Sequence, residues 1–239
     1  MKLSTFFIIM GMLIISMYCL IEVSYYASEL KIENNTNTPI VLIPSIDVNE
    51  KINNKSVFYG VYHEPQSFKP NNGTVILFGH RTMYGSPFLE LDKLKKGDKV
   101  YLEWPGIGKV EYIVVKSFIV PASYRMSVEQ GEKLFLITCH PLGSTKDRLI
   151  VETKINKIYP LKKIIYKENP QNYYALLIII GFLLSCLALT VIYPVDEDKN
   201  TLLGVVIVLG LFLILAYMFP IPPDFISSKI ADINNILNL

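Results

Sequence analysis

The sequence predicts a mainly β domain, in which seven or eight largely antiparallel strands close on themselves, together with three membrane-spanning helices. Only 18% of the 239 residues are charged, against roughly 25% in an average soluble domain, and three stretches of 19, 27 and 24 residues carry no charge. Between the first two stretches, short runs of β-branched and aromatic residues alternate with turn residues, which is typical of an all-β domain. This composition excludes disorder, a coiled coil and a collagen-like fibre, and it argues against a plain cytosolic globule.

The first uncharged stretch, residues 3–21, approaches the length of about 20 apolar residues that a helix needs to cross the hydrocarbon core. A cleaved signal peptide is the alternative interpretation. Residues 23–27, however, lack the small residues at cleavage-site spacing that such a peptide requires. We therefore expect residues 1–26 to form an N-terminal membrane anchor that is not removed.

The other two uncharged stretches predict spans over residues 173–193 and 202–219. Tyrosines flank the first of them, as interfacial aromatic residues do. Because residues 194–201 form only a short connection, residues 173–219 are predicted to be a transmembrane helical hairpin.

A short amphipathic tail is predicted over residues 220–239. Prolines break the chain at its start, and four apolar residues then recur at helical spacing on a polar background: Ile226, Ile230, Ile233 and Leu237. A helix lying on the membrane surface and a short helix packed on the protein itself both agree with this pattern.

The domain between the spans is predicted over residues 27–160, followed by a basic linker over residues 161–172. Residues 27–172 hold 20 Lys and Arg against 15 Asp and Glu, a net charge of +5. These charges are spread along the chain and lack the one-faced clustering of a nucleic-acid-binding surface. A segment of this length can bury a core of its own.

Six runs within this domain predict strands, at residues 39–46, 74–78, 99–104, 110–115, 134–139 and 149–155. The third alternates cleanly between apolar and polar residues, and a Pro-Gly turn leads it back into the fourth as a hairpin. Residues 134–137 are apolar throughout, which indicates a strand covered on both faces. Closure of the sheet is expected because it removes exposed edges.

One short helix is predicted near residue 86. Ser86 can cap it, Pro87 fits its first turn, and Gly97 ends it. Its apolar face is formed by Phe88, Leu91 and Leu94.

Cys139 is the one cysteine of the soluble domain, since Cys19 and Cys186 fall inside predicted spans. No disulfide can therefore form within the domain. Cys139 ends an apolar strand and precedes a polar loop over residues 141–147, so it is either buried filler or a nucleophile presented to solvent.

Three histidines could act as the base for such a thiol. His140 adjoins Cys139, but successive side chains of a strand point to opposite faces. His63 lies in a loop-like stretch, and His80 follows a buried strand through a glycine, where it could also be a hydrogen-bonded structural residue. A zinc site formed by these residues lacks the paired close spacings of known zinc ligands.

Arg148 opens the strand that follows the Cys139 loop. Two neighbouring strands joined by this eight-residue loop would bring Arg148 and Cys139 to the same end of the sheet. Taken alone, such an arginine is more often a surface residue.

Three motifs resemble those of one known family. Residues 135–139 read Phe-Leu-Ile-Thr-Cys, similar to the TLxTC signature of the sortases, with phenylalanine in place of the first threonine. Residues 75–81, Val-Ile-Leu-Phe-Gly-His-Arg, are similar to the family's histidine motif, and residues 147–151, Asp-Arg-Leu-Ile-Val, to its arginine motif. Flanking segments at 41–46, 60–65 and 88–100 also match. The chain thus resembles the sortases, a family of membrane-anchored cysteine transpeptidases, over residues 39–155.

The resemblance implies a closed eight-stranded β-barrel with Cys139, His80 and Arg148 converging at one end. It implies that Cys139 is the nucleophile that forms a thioester, that His80 is the general acid and base, and that Arg148 stabilises the oxyanion or holds the substrate backbone. It implies no cofactor. Some sortases respond to calcium, but this sequence shows no obvious carboxylate cluster that would form such a site, so no metal is expected. In sortases an amine resolves the thioester, so the net reaction is transpeptidation.

The partners that the resemblance implies are secreted proteins with a C-terminal sorting signal like Leu-Pro-x-Thr-Gly, and an amine acceptor on the cell surface. The paired C-terminal spans depart from the single N-terminal anchor that is commonest in the family. Two other functions fit the same residues: a thiol peptidase that only hydrolyses the thioester, and a non-catalytic, membrane-tethered barrel that serves as a binding module.

Orientation in the membrane is predicted differently by charge and by resemblance. Three lysines in the 161–172 linker favour a cytoplasmic domain under the positive-inside rule. Glycosylation sequons at Asn34, Asn54 and Asn72 point the other way. Because protein sorting takes place outside the cell, the resemblance implies a multi-pass cell-membrane protein with an extracytoplasmic catalytic domain.

Overall fold

The computed structural model describes residues 2–32, 38–160 and 173–229. The basic linker, the sequon at Asn34 and residues 230–239 of the tail lie outside the described residues. The chain divides into two compact units, one formed by Met1–Glu33 with Pro170–Leu239 and the other by Asn34–Asn169.

The second unit is a closed β-barrel, which confirms the predicted fold. Its strands follow the neighbour order β1-β2-β3-β4-β7-β8-β6-β5, and β5 pairs with β1 to close the sheet. The strands are β1 (Ile40–Ile43), β2 (Val48–Asn53), β3 (Val61–His63), β4 (Val75–Phe78), β5 (Lys99–Trp104), β6 (Gly108–Pro121), β7 (Lys133–His140) and β8 (Asp147–Tyr159).

Most neighbouring strands are antiparallel, and two pairs are parallel: β2 with β3, and β4 with β7. The parallel pairing of β4 with β7 sets Phe78 opposite Ile137. On the other side of β7, the antiparallel strand β8 sets Arg148 opposite Cys139. The ends of three strands that are distant in sequence thus meet at one place.

Several predicted strand boundaries are wrong. The first predicted strand stops at Ile43, because Pro44, which cannot donate to a ladder, begins a 3-10 turn over Pro44–Ile46. β2 and β3 were not among the predicted strands. The charged residues of β2 hide its alternation, in which Val48, Glu50 and Ile52 are buried.

The short helix predicted from Ser86 is also wrong. Tyr84, Gly85 and Ser86 all have positive φ angles, of 55°, 74° and 47°, so Ser86 does not adopt the extended backbone of an N-cap residue. A single 3-10 turn forms further on, at Leu91–Lys93. The expected apolar face is nevertheless buried, since Phe88, Leu91 and Leu94 all belong to the barrel core.

Alternate residues of the strands enter two different apolar clusters. The inner cluster fills the barrel and includes Val75 and Leu77 of β4, Leu134 and Leu136 of β7, and Leu149 and Val151 of β8. The outer cluster lies on the opposite face of the same strands and is formed by Ile76, Phe135, Ile137 and Ile150, with partly buried Phe78, Phe118, Val120, Met126 and Val128. The apolar strand predicted to be covered on both faces is β7.

The first unit contains three long apolar helices, α1 (Leu3–Ile32), α2 (Tyr174–Ile192) and α3 (Asp196–Met218). Each is long and apolar enough to cross a membrane, as predicted. The turn expected at 194–201 is shorter than predicted, because α3 begins at Asp196. Three acidic residues lie in its first turn, where their negative charges stabilise the helix by interacting with its dipole. Residues 223–229 of the tail are helical.

A polar cluster joins the start of α1 to the α2–α3 connection. The Thr5 hydroxyl donates to the Asp198 carboxylate over 2.6 Å, and the backbone N–H of Lys2 donates to the same oxygen over 3.1 Å. The Tyr193 hydroxyl lies 2.7 Å from that of Thr5 and 2.8 Å from that of Ser4. These contacts hold α1 within the helical unit.

Candidate active site

A cavity of about 490 Å³ opens on the outer face of the barrel, where β4 and β7 end and β8 begins. His80, Cys139 and Arg148 all line it. The strand alternation explains this meeting. Each of the three residues lies two positions from an outward-facing residue of its strand and therefore faces the same side. His80 follows Phe78, Cys139 follows Ile137, and Arg148 precedes Ile150.

Two hydrogen bonds fix the ends of β4 and β7 to each other. The backbone N–H of Gly79 donates to the carbonyl of Ile137 over 3.1 Å. The Thr138 hydroxyl, directed to the other side of β7 from Cys139, donates to the carbonyl of Gly79 over 2.8 Å. The residues that precede Cys139 and His80 are therefore tied together.

Gly79 is required by close packing. A Cβ atom at this position would lie 2.6 Å from the ring of Phe88, which is fully buried. The backbone N–H of Phe88 also donates to the carbonyl of His80 over 3.1 Å. His80, the residue after this glycine, is thus held by the chain that follows it.

Cys139 is a half-buried free thiol. Its register partner Arg148 donates from Nη1 to the carbonyls of Thr145 and Asp147, over 2.9 and 3.0 Å. Within the described residues, no carboxylate forms an ion pair with Arg148. These two hydrogen bonds hold the Nη1 side of the guanidinium. Its remaining N–H donors have no partner among the described side chains.

His80 packs against two aromatic rings, which also contact each other. The ring of Phe58 stacks on the imidazole, and the ring of Tyr84 packs against it at a centroid distance of 4.9 Å. Its Nε2 atom is buried and has no hydrogen-bond partner in the described part of the chain. Burial lowers the pKa of His80 from 6.5 to about 4, so the imidazole is neutral at pH 7.

The other two histidines do not line the cavity. Nε2 of His63 lies 3.1 Å from the carbonyl of Phe68 and 3.2 Å from the hydroxyl of Ser67. Burial lowers the pKa of His63, partly opposed by the hydrogen bond to Phe68. His140 accepts a hydrogen bond at Nδ1 from the guanidinium of Arg81 over 3.3 Å, which also forms an ion pair with Asp92.

Sequence reasoning missed the wall of the cavity that comes from the β2–β3 connection and from β3. Its residues are Lys55, Ser56, Val57, Tyr62 and Glu64. A signal for this wall is present in the sequence. Ser56 caps the 3-10 turn Val57–Tyr59 by accepting from the N–H of Phe58, and serine is a favoured residue at such a cap.

No metal site is found among the described residues, since no group of three His, Cys, Asp or Glu side chains lies close enough to hold an ion. The cavity wall holds one carboxylate, that of Glu64, beside the cationic side chains of Lys55 and Arg148.

Solved structures similar to this chain are sortases. The chain is 23% identical to sortase A of Listeria monocytogenes, with a TM-score of 0.46, over 54% of this chain and 93% of that chain. It is 24% identical to sortase E1 of Streptomyces coelicolor, with a TM-score of 0.47, over 52% of this chain and 91% of that one. It is 26% identical to sortase C-1 of Actinomyces oris, with a TM-score of 0.46, over 56% of this chain and 82% of that chain. None of the curated proteins matches the chain.

The sequence also matches the sortase domain as a family, over residues 31–156. That match covers more than half of the chain and all eight strands except the last three residues of β8. It contains His80, Cys139 and Arg148 in the cavity described above. On this match, the chain belongs to the sortase family.

Proposed function

We propose that this chain is a membrane-anchored cysteine transpeptidase in which Cys139 is the nucleophile, His80 the general acid and base, and Arg148 the oxyanion-stabilising residue. The observation that supports it most is that all three side chains line one cavity. Membership of the family supports transpeptidation as the kind of reaction.

The first half-reaction forms a thioester. The Cys139 sulfur attacks the scissile carbonyl carbon while the neutral imidazole of His80 takes up the thiol proton. The carbon–nitrogen bond then breaks, and the imidazolium returns that proton to the leaving amine. A neutral resting His80, as its lowered pKa indicates, is the protonation state that this first step needs.

The second half-reaction releases the acyl group to an acceptor. An amine attacks the thioester carbon, and His80 accepts a proton from the amine. The carbon–sulfur bond then breaks, and the imidazolium returns that proton to the sulfur, which restores the thiol. Each tetrahedral intermediate carries an oxyanion, which the free donors of Arg148 stabilise. A guanidinium suits this role because it keeps its charge at any physiological pH.

The outer apolar cluster supports a peptide substrate. Phe78 and Ile137 belong to this cluster and also line the cavity beside Cys139. An extended segment lying across them would bury apolar side chains next to the reactive sulfur. We propose a C-terminal sorting signal of the Leu-Pro-x-Thr-Gly kind on secreted proteins, and a cell-surface amine as acceptor.

The membrane arrangement is proposed on two observations. The contacts of Thr5 and Lys2 with Asp198 give α1 a structural role, which favours an uncleaved anchor. The substrates of the family favour a catalytic domain outside the cell. A membrane-impermeant thiol reagent should therefore label Cys139 in intact cells, and labelling only after lysis would contradict this orientation.

The test of the reaction uses the full chain in detergent with a sorting-signal peptide and an added amine. The wild-type chain should yield the amine-linked product, and a thioester at Cys139 should be trapped and detected by mass spectrometry when the amine is withheld. Cys139→Ala should abolish both, whereas Cys186→Ala, in α2, should abolish neither.

Two results would contradict the proposal. A product that never contains the amine would indicate a thiol peptidase. Absence of any thioester, with unchanged cellular behaviour of Cys139→Ala, would indicate a binding module.

A further inference from the structure

The surroundings of His80 form an aromatic clamp, which consists of the rings of Phe58 and Tyr84. The ring of Phe58 lies 5.4 Å from the imidazole centroid at an interplanar angle of 28°, and that of Tyr84 lies 4.9 Å away at 35°. The two aromatic rings also touch each other edge to face at 5.1 Å. The three rings are thus in mutual contact, and Nε2 of the imidazole is buried without a hydrogen-bond partner among the described residues.

Tyr84 is held in the clamp at a cost to the backbone. Its φ of 55° is rare for a bulky residue, and such conformations persist where surrounding structure enforces them. Its side chain is only 2% exposed. The N–H of Ser86 donates to the carbonyl of Met83 over 3.1 Å, which closes the strained turn around it.

Phe58 is held in the clamp by Asn53. The Asn53 side-chain amide donates to the carbonyls of Tyr59 and Val61, over 3.1 and 2.9 Å. Its side-chain oxygen accepts from the N–H groups of Lys55 and Ser56, over 2.9 and 3.1 Å. One side chain at the end of β2 therefore fixes the whole turn that carries Phe58.

No charged group accounts for the state of His80. The titratable side chains that line the same cavity are Lys55, Tyr62, Glu64, Cys139 and Arg148, and Tyr84 packs against the ring. Burial is nevertheless the one cause of the lowered pKa. The groups that bury the ring therefore control its charge.

We propose that Phe58 and Tyr84 are positioning residues, which hold His80 uncharged and correctly oriented beside Cys139. The clamp excludes water from Nε2, which disfavours the charged imidazolium. The catalytic role of His80 rests on the proposed function, whereas the control of its charge by the clamp does not.

The test is a titration of the three histidines by NMR in the full chain, labelled with ¹³C-histidine in detergent micelles. His80→Asn identifies the His80 resonance by its loss. In the wild-type chain His80 should titrate near pH 4. In Phe58→Ala, water should reach the imidazole of His80. The midpoint of its titration should then rise towards 6.5, and the imidazole should bind a proton at least tenfold more tightly than in the wild type. Phe58→Leu, which keeps most of the apolar volume, should move it less.

Phe68→Ala is the matched control. Like Phe58, Phe68 lies in a connection between strands, and its side chain is 43% exposed. Its ring makes no contact with His80, so its truncation should leave the titration midpoint of His80 unchanged. Phe58 belongs to neither apolar cluster, and its truncation should leave the fold intact, which unchanged Trp104 fluorescence would verify. A wild-type midpoint near 6.5, or equal midpoints in the wild type and a folded Phe58→Ala, would overturn the proposal.

A second readout links the clamp to the reaction. The acid limb of the kcat/KM profile should move to higher pH in Phe58→Ala, in step with the NMR midpoint, and should stay in place in Phe68→Ala. A midpoint that moves while the acid limb does not would overturn the role of His80 in the reaction and leave the clamp standing. A chain without turnover but with the shifted midpoint would overturn only the proposed function.

Discussion

The inner and outer faces of β4, β7 and β8 are built from alternate residues of the same strands, yet they differ in what covers them. The inner face is closed on all sides by the barrel. The outer face is covered in part by Met126 and Val128 of the β6–β7 connection, and beyond that cover the cavity opens. Reactive groups are therefore found at the outer face, where rigid strands meet solvent.

This difference shows how a stable sheet can also present chemistry. The inner residues pack in the core and make the strands rigid. On the outer face, each strand end carries or is followed by one polar residue that lines the cavity: His80, Cys139 and Arg148. Substitutions on the inner face should therefore change stability, and those on the outer face should change activity.

The largest expected effect on the outer face is that of Arg148→Gln. Loss of an oxyanion donor typically lowers the rate by about 10²–10³, and we expect kcat to fall by that factor. The melting temperature should hardly change, because the partners of Arg148 are loop carbonyls. Steady-state transfer assays and thermal melts measure the two quantities. Arg125→Gln, at an exposed residue, is the control, and an equal loss in both variants would contradict the assignment.

The neighbouring residues Leu136 and Ile137 test the comparison most directly. Both are buried, at 0% and 5% exposure. Leu136→Ala should lower the free energy of unfolding by about 2–5 kcal/mol and leave the KM of the folded enzyme unchanged. Ile137→Ala should also raise KM for the peptide by about tenfold or more, since it removes apolar surface from the cavity. Equal KM values in the two variants would contradict the division between the faces.

Acid should destabilise the barrel through His80. Its folded pKa of about 4 lies below the unfolded value of 6.5, so the unfolded chain binds the proton more tightly. The stability is complete above pH 6.5 and is lost as the pH falls towards 4, by roughly 3 kcal/mol at most.

Fluorescence of Trp104, the single tryptophan, can follow thermal unfolding of the barrel between pH 7 and pH 4.5. His80→Gln should flatten the pH dependence relative to the wild type. His63 contributes in the same direction and remains in both chains, so the difference between them isolates His80. Identical slopes would contradict the prediction.

The smallest expected effect is that of Lys133→Met, on the outer face away from the cavity. Lys133 forms an ion pair with Glu152 over 2.7 Å, and Lys116 lies 3.4 Å from the same carboxylate. Because one cation remains and such pairs contribute little near the surface, stability should fall by less than about 1 kcal/mol. Chemical unfolding measures this change, and a loss as large as that of Leu136→Ala would show that the outer face also supports the fold.

The sequence was most informative where its pattern was local. The uncharged stretches predicted α1, α2 and α3, and the apolar run before Cys139 predicted β7. It failed at β2, where Glu50 and Lys51 interrupt the alternation, and at Ser86, where cap chemistry predicted a helix. In both places packing overrides the residue pattern: the first four residues of β2 pair with β1, and the turn at Ser86 packs Tyr84 on His80.

The sequence by itself determined three long apolar helices, the all-β character of the domain and the side-chain chemistry of the candidate site, because apolar length, strand periodicity and residue type are local properties. Only the tertiary structure decided that His80 packs against Phe58 and Tyr84, that Asn53 holds Phe58 in place, and that the cavity opens on the outer face. Those features arise from barrel closure and parallel strand pairing, which join segments far apart in the chain. The charge of an imidazole depends on the groups that exclude water from it, and in this barrel these groups come from two connections that no local pattern relates.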